Sequence, residues 1–314
     1  MPAEHDTTTV RRLGEKSHNN PLETKDPNMP RTIVITGTAS GFGKLCVERF
    51  AAEGWNVVAT VRKESDLAVH EDLPRVRTLL LNVDDEEADL AFADLAAMQF
   101  GRVDALVNNA GYYQAGPLEG TTMDQIHRQF QTNVFGLIAL NKAFIPYFRA
   151  QGSGVIVNIG SISAEQGYPY TSVYEASKAA VVSLSEGLNV ELAEFGIAVK
   201  CVLPGSMDTG IFHKIDQAED VPDAYEASIN AFFSLDLFSV RSHPRVTADV
   251  IYEAVTDNKP GKVRYYSGPD GTAIPRVKQL LGQEWYWDEF RALVAGNPSP
   301  LWQALVPTPV PAGE

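Results

Sequence analysis

A chain of 314 residues, 44% of them hydrophobic, can bury a full core in one or two domains. Its formal net charge of −14 argues against a nucleic-acid partner, which would need a basic face. No run approaches the roughly 20 apolar residues that span a bilayer, and the N-terminus carries no hydrophobic signal core, so a soluble cytoplasmic protein without a membrane partner is expected.

Residues 1–30 are polar, nearly charge-balanced and aperiodic, and read as a flexible arm. The β-branched run 31–36 predicts a buried parallel strand. It enters Gly37-Thr-Ala-Ser40-Gly41-Phe42-Gly43 and then a helical pattern over 44–53. Strands follow at 55–61 and 76–81. Next comes a helix to about residue 99, and Asp84, Asp85, Glu86 and Glu87 at its start favour its dipole. The strand 104–108 runs into a loop, and a long helical pattern over 122–150 contains Asn133 and Pro146. Residues 154–160 form a strand ending at Ser161, 172–195 a helix and 197–203 a strand. Residues 206–245 break the rhythm and 262–267 supply a seventh strand. Beyond it, 275–281 and 283–293 read as helices anchored by Trp285, Tyr286, Trp287 and Phe290. Asn297-Pro-Ser-Pro300 and the final proline-rich stretch read as extended tail. The alternation predicts an α/β fold, a doubly wound parallel sheet of about seven strands with right-handed crossovers. One domain over 31–267 carries a short helical C-terminal extension over 268–314.

Ser161, Tyr174 and Lys178 would bring a hydroxyl, a phenol and an ammonium to strand ends, where ligands bind in such sheets. On a helix Tyr174 and Lys178 share one face, a turn apart. A phenol titrates near pH 10, and a neighbouring cation should pull it toward the range where general acid–base catalysis is efficient. Ser161 would hold a substrate oxygen while Tyr174 passes the proton. Alone, Tyr-x-x-x-Lys is better read as an ordinary amphipathic helix. The turn from Gly37 to Gly43 adds a second signal: strand, glycine turn and helix in that order cradle a nucleotide pyrophosphate. Its spacing, Gly-x-x-x-Gly-x-Gly, differs from the G-x-G-x-x-G fingerprint.

Thr36-Gly37-x-x-x-Gly41-x-Gly43, Asn108-Asn-Ala-Gly111, Asn133, Ser161, Tyr174-x-x-x-Lys178 and Pro204-Gly205 occur in this order, thirteen residues separating Ser161 from Tyr174. In these motifs the chain resembles the short-chain dehydrogenases/reductases, over roughly residues 30–267. The resemblance implies a Rossmann-like domain that transfers hydride between a nicotinamide cofactor and a carbonyl or alcohol carbon. It implies catalytic roles for Asn133, Ser161, Tyr174 and Lys178, with Asn133 bending its helix and holding a water beside Lys178. It places Thr209 on the nicotinamide carboxamide and Asn82-Val83 where the family meets adenine, Asn82 replacing the usual aspartate. Lys178 would also bond the nicotinamide ribose, and Pro204-Gly205 would shape the wall behind the ring. The turn of Asn109, Ala110 and Gly111 either approaches the cofactor or only stabilises the strand before it. The family's dimer surface on the helices of Asn133 and Tyr174 implies a homodimer or homotetramer.

Arg62 lies just past the second strand, where the adenosine ribose should arrive, and Val61 leaves no carboxylate there to repel a 2′-phosphate. A guanidinium fork suits phosphate, and Lys63 adds a second cation. NADP is therefore expected over NAD. Residues 206–245 would form a substrate lid, with Phe212, Tyr225, Phe232, Phe233, Leu235, Leu237 and Phe238 as apolar surface and Gly210 as hinge. Asp216, Glu219, Asp220, Asp223 and Glu226 would charge its outer face, and Tyr112, Tyr113, Gln166 and Tyr168 are pocket candidates. Each of these could instead simply pack lid against core. The expected function is an NADP(H)-dependent oxidoreductase of carbonyl reductase or alcohol dehydrogenase type, acting on a hydrophobic ketone, aldehyde or secondary alcohol. The alternatives are an NAD-dependent alcohol dehydrogenase, a non-catalytic NADP-binding sensor and a nucleotide-sugar epimerase or dehydratase. No metal is expected: His5, His18, His70, His127, His213 and His243 form no ligand-spaced cluster. Cys46 and Cys201, in apolar runs, predict buried thiols, and a Ser–His–Asp hydrolase lacks its Gly-x-Ser-x-Gly elbow.

Overall fold

The computed structural model describes residues 29–210, 215–234, 241–297 and 299–305. The expected N-terminal arm up to residue 28, Phe212, Leu235, Leu237, Phe238, His5, His18, His213 and the end of the proline-rich tail lie outside them.

In chain order the elements are β1 (Thr32–Ile35), α1 (Gly41–Ala52), β2 (Asn56–Val61), β3 (Val76–Leu80), α2 (Glu86–Phe100), β4 (Ala105–Asn108) and β5 (Gln114–Ala115). They continue with α3 (Met123–Phe130), α4 (Leu137–Gln151), β6 (Gly154–Ile159), α5 (Ser172–Leu192), β7 (Ile197–Pro204), β8 (Asp216–Gln217) and α6 (Glu226–Ser234). The last are α7 (Arg245–Thr256), β9 (Arg264–Ser267), α8 (Pro269–Leu281), α9 (Gln283–Val294) and α10 (Pro300–Leu305).

Seven strands form one parallel sheet in the order β3-β2-β1-β4-β6-β7-β9. Each central strand is buried on both faces, which is why its sequence is a continuous apolar run. Ile33, Ile35, Val57, Ala59 and Val107 pack against α1 and α7, while Val34, Val58, Leu106 and Ile156 pack against α2 and α4. The winding direction reverses between β1 and β4. A crevice opens beyond the carboxyl ends of strands at such a reversal, and the glycine turn and the Asn108-Asn109-Ala110-Gly111 turn flank it.

The helix expected over 122–150 runs without a gap from α3 into α4, with its bend at Asn133. A π-helical turn over Gln131–Gly136 joins α3 to α4. Gly136 presses on the Val83 carbonyl so closely that a Cβ would collide with it, and the wider turn accommodates that contact. At the other end of the chain the extended-tail expectation fails at Pro300. Ser299 Oγ accepts the Trp302 N–H at 3.1 Å and proline occupies the first helical position, so 300–305 is helical. Trp302 is buried against Tyr286 and Phe290. α8 likewise starts at Pro269, ahead of the expected Pro275, which lies inside the helix. Both cysteines are free and buried. No described helix is long and apolar enough to cross a membrane.

Asp85 caps α2, its side chain accepting the Ala88 N–H at 3.1 Å. One turn further in, Asp89 is fully buried, and neither carboxyl oxygen has a hydrogen-bond partner among the described residues. Burial first, then Asp85, Asp84 and Glu86, raise its pKa to about 7. An acid whose folded pKa exceeds its unfolded one holds its proton more tightly in the fold. Its contribution therefore favours the fold at low pH and is lost as pH rises from about 4 to about 7. Asp89→Asn is expected to stabilise the protein by roughly 1–3 kcal/mol at pH 8 and hardly at all at pH 4. Urea unfolding of both proteins at the two pH values checks this, and an equal gap at both would refute it.

Candidate active site

The crevice holds a cavity of about 770 Å³. Gly37, at φ 68°, starts the turn that follows β1, and a Cβ there would stand 2.9 Å from Ala110 Cα. Gly41, at φ 59°, opens α1. Gly43 lies behind the turn rather than on the cavity, and a side chain there would collide with the Gly37 carbonyl and stand 2.6 Å from Asn109 Nδ2. Asn109 locks the two turns together: Nδ2 donates to the Thr36 and Gly37 carbonyls at 2.8 and 3.0 Å. Thr36 Oγ1 in return accepts the N–H groups of Asn109 and Ala110 at 3.0 and 2.9 Å. The Asn109 side chain is thus scaffold, and Asn109, Ala110 and Gly111 line the cavity. His70 extends the lock, its Nε2 lying 3.2 Å from the Thr38 carbonyl.

Ser40, Gly41, Phe42, Asn82 and Val83 also line this cavity. So do Arg62 and Lys63, both exposed and without an ion pair among the described residues. A dinucleotide cofactor fits this donor set. The glycines leave side-chain-free room at a helix N-terminus, and two cations mark the far end.

A second cavity of about 120 Å³ adjoins the first, and Phe42, Asn109, Gly111, Tyr112 and Thr209 line both. Ser161, Tyr174, Lys178, Pro204 and Gly205 face the smaller one, together with Tyr113, Tyr168 and Met207. Ser161 leaves β6 and its Oγ accepts the Ser163 N–H at 3.1 Å. The Tyr174 ring packs on Tyr113 with centroids 4.5 Å apart. Lys178 is buried, and its Nζ donates to the Ile159 carbonyl at 2.8 Å and lies 5.8 Å from the Tyr174 ring centroid.

The sequence led us to expect a depressed Tyr174 pKa. Burial instead pushes the phenol up to about 12, with the Ser161 hydrogen bond pulling it down and Glu175 pushing it further up. Burial also lowers Lys178 to about 8. Desolvation is the largest cause of both shifts, and it disfavours both charged forms.

Asn133 sits in the π-turn, buried, and does not line either cavity. Its Nδ2 donates to the Tyr112 carbonyl and the Ser177 hydroxyl, each at 3.1 Å, while its Oδ1 accepts the Tyr112 N–H at 3.1 Å. A Cβ on Gly111 would stand 3.0 Å from Asn133 Oδ1 and 3.6 Å from Lys178 Nζ, so only glycine leaves this approach open. A Cβ on Gly205 would collide with Asp270, whose Oδ2 accepts the Ser206 N–H at 2.7 Å. Nothing in the sequence marked Asp270.

The described residues of the segment read as a lid make several ties to the rest of the fold. β8 pairs in parallel with β5. Gln125 Nε2 donates to Asp216 Oδ1 and the Gln217 carbonyl at 3.1 and 2.7 Å, and Arg128 approaches Asp216 and Glu219 at 3.4 and 3.7 Å. Tyr225 Oη donates to Glu119 at 2.9 Å. Phe232 is buried, edge-on to Tyr170, a non-glycine residue held at φ 67°. Phe233 is exposed, and Gln166, expected in the pocket, is turned away and hydrogen-bonded to the Tyr286 hydroxyl. A two-residue strand is too short to leave a periodic signal, so this tie was not legible.

Comparison with known proteins establishes the family. The family model described as short chain dehydrogenase matches residues 31–220, and the chain belongs to the short-chain dehydrogenase/reductase family of oxidoreductases. It is 35% identical to a 3-ketodihydrosphingosine reductase of Bacteroides thetaiotaomicron over 237 residues, 74% of this chain and 86% of that one. A solved short-chain dehydrogenase from Streptomyces avermitilis is 32% identical with a TM-score of 0.72, covering 88% of this chain and 97% of that one. ElxO, solved with NADP bound, is 26% identical with a TM-score of 0.65, over 75% of this chain and 95% of its own. A 3-ketoacyl-(acyl-carrier-protein) reductase from Brucella melitensis, solved with NADH, is 25% identical with a TM-score of 0.64, over 75% and 94%.

Proposed function

We propose that this protein is an NADP(H)-dependent reductase of a hydrophobic ketone or aldehyde, with Tyr174 as general acid. One observation carries the reading. A hydroxyl, a phenol and an ammonium line one small, mainly aromatic and apolar cavity, and it opens into a cleft ending at Arg62 and Lys63. A nicotinamide cofactor bound in that cleft supplies the hydride. Ser161 Oγ donates a hydrogen bond to the substrate oxygen and Tyr174 Oη delivers its proton there. A phenol raised to about 12 keeps that proton at neutral pH, the state reduction requires. Lys178 holds the cofactor ribose, Thr209 and Phe42 border the place where ring and substrate meet, and Asn133 holds the Tyr112 backbone beside them. Arg62 and Lys63 receive the 2′-phosphate. The Bacteroides relative is named as a reductase of a keto compound, which supports the substrate class. Cytoplasmic placement and a homodimer or homotetramer belong to the same reading.

The test is cofactor oxidation against a panel of hydrophobic ketones and aldehydes, with NADPH and NADH side by side. Turnover with a clear NADPH preference is expected. Equal rates with NADH would overturn the cofactor assignment, and silence with both would favour a non-catalytic sensor.

A further inference from the structure

Glu175 follows Tyr174 on α5 and is buried. Its Oε1 accepts the Tyr168 backbone N–H at 2.5 Å and the Thr171 hydroxyl at 2.9 Å. The same hydroxyl lies 3.1 Å from the Tyr168 carbonyl, so one proton has two acceptors, and a charged carboxylate is the stronger. The titratable groups facing Glu175 are phenols: Tyr168 on its loop, Tyr174 on its own helix, Tyr113 after β4 and Tyr286 on α9. It makes no ion pair among the described residues. Tyr168 is a shared wall. One side lines the small cavity and its ring stands edge-on to Phe290, centroids 5.6 Å apart.

We propose that Glu175 is a positioning residue. Its carboxylate holds the Tyr168 N–H and the Thr171 hydroxyl, which fixes the Tyr168 wall of the substrate cavity, and protonation loosens that wall. The proposal rests on reading this cavity as the carbonyl site. Burial raises the Glu175 carboxyl to about 7, with the Tyr168 and Thr171 hydrogen bonds pulling it down. The clamp is therefore charged above neutrality and neutral below it. Glu175→Gln keeps an acceptor oxygen but cannot titrate.

With NADPH saturating, the wild-type KM for a reactive ketone is expected to rise about five- to tenfold from pH 8 to pH 6, with kcat changing much less, the size of one weakened hydrogen bond. The Glu175→Gln KM should stay within about twofold over that range. A wild-type pH profile in Glu175→Gln would overturn the proposal. A second readout needs no turnover. In ¹⁵N-labelled protein the Tyr168 amide resonance should titrate with a midpoint near 7, and it should stay still in Glu175→Gln. A Tyr168 amide that does not move between pH 6 and pH 8 overturns the clamp whatever the substrate proves to be. Silence in turnover with the titration intact supports the clamp and overturns the carbonyl-site reading instead.

Discussion

Tyr174→Phe is expected to lower kcat for carbonyl reduction by about 10²- to 10⁴-fold, the range that positioned proton transfer contributes. The change removes one oxygen and leaves the ring against Tyr113, where the centroids are 4.5 Å apart. Packing should therefore survive, and with it the Lys178 contact to the Ile159 carbonyl, which does not involve the phenol. The dissociation constant for NADPH should accordingly stay within about twofold, because no cofactor contact assigned above depends on the phenolic oxygen being acidic. Single-turnover reduction followed at the nicotinamide absorbance, beside a fluorescence titration of NADPH, separates the two quantities. An unchanged kcat would remove the phenol from the chemistry. A loss of NADPH binding equal to the loss of rate would mean that Tyr174 builds the site rather than acting in it.

Arg62→Ala should weaken NADPH binding about 10- to 150-fold, the worth of one charge-assisted contact to phosphate of about 1.5–3 kcal/mol. NADH binding should barely change. Arg62 is exposed, lines the cleft and has no ion pair among the described residues to keep it occupied, so its fork is available to a ligand. The neighbouring Lys63 sets the lower edge of that range, since a remaining cation continues to attract the 2′-phosphate. Raising salt should compress the difference, because exposed charges are screened. Equal losses for NADPH and NADH would refute the phosphate role and assign Arg62 to the shape of the loop after β2.

Much of the scaffold could be read from the chain because buried parallel strands leave apolar runs such as 31–36 and 197–203, each close to its observed limits. The glycine turn was legible for a related reason: three glycines in seven positions are costly unless backbone must approach something closely. What failed depends on contacts across the fold. The bend at Asn133 was expected, but its π-helical form meets the Val83 carbonyl, far away in sequence. The helical character of 300–305 comes from Trp302 finding Tyr286 and Phe290. The direction of the Tyr174 shift could not be read because spacing shows which charges are near and says nothing of how much water is excluded. Nothing in the sequence marked Glu175, because its burial comes from the packing of the fold.

The cluster joining Ile162 and Tyr168 to Ile274, Val277, Tyr286, Phe290 and Trp302 divides the labour of the chain. Residues 37–132 supply most of the lining of the larger cavity, joined by Thr209, Gly210 and Asp216, whereas the support behind one wall of the smaller cavity comes from α8, α9 and α10. Selection on substrate range can then work on the latest part of the sequence without disturbing the nucleotide cradle. A chimera exchanging the segment from Gly268 onward between relatives would inherit its cofactor from one parent and much of its pocket shape from the other.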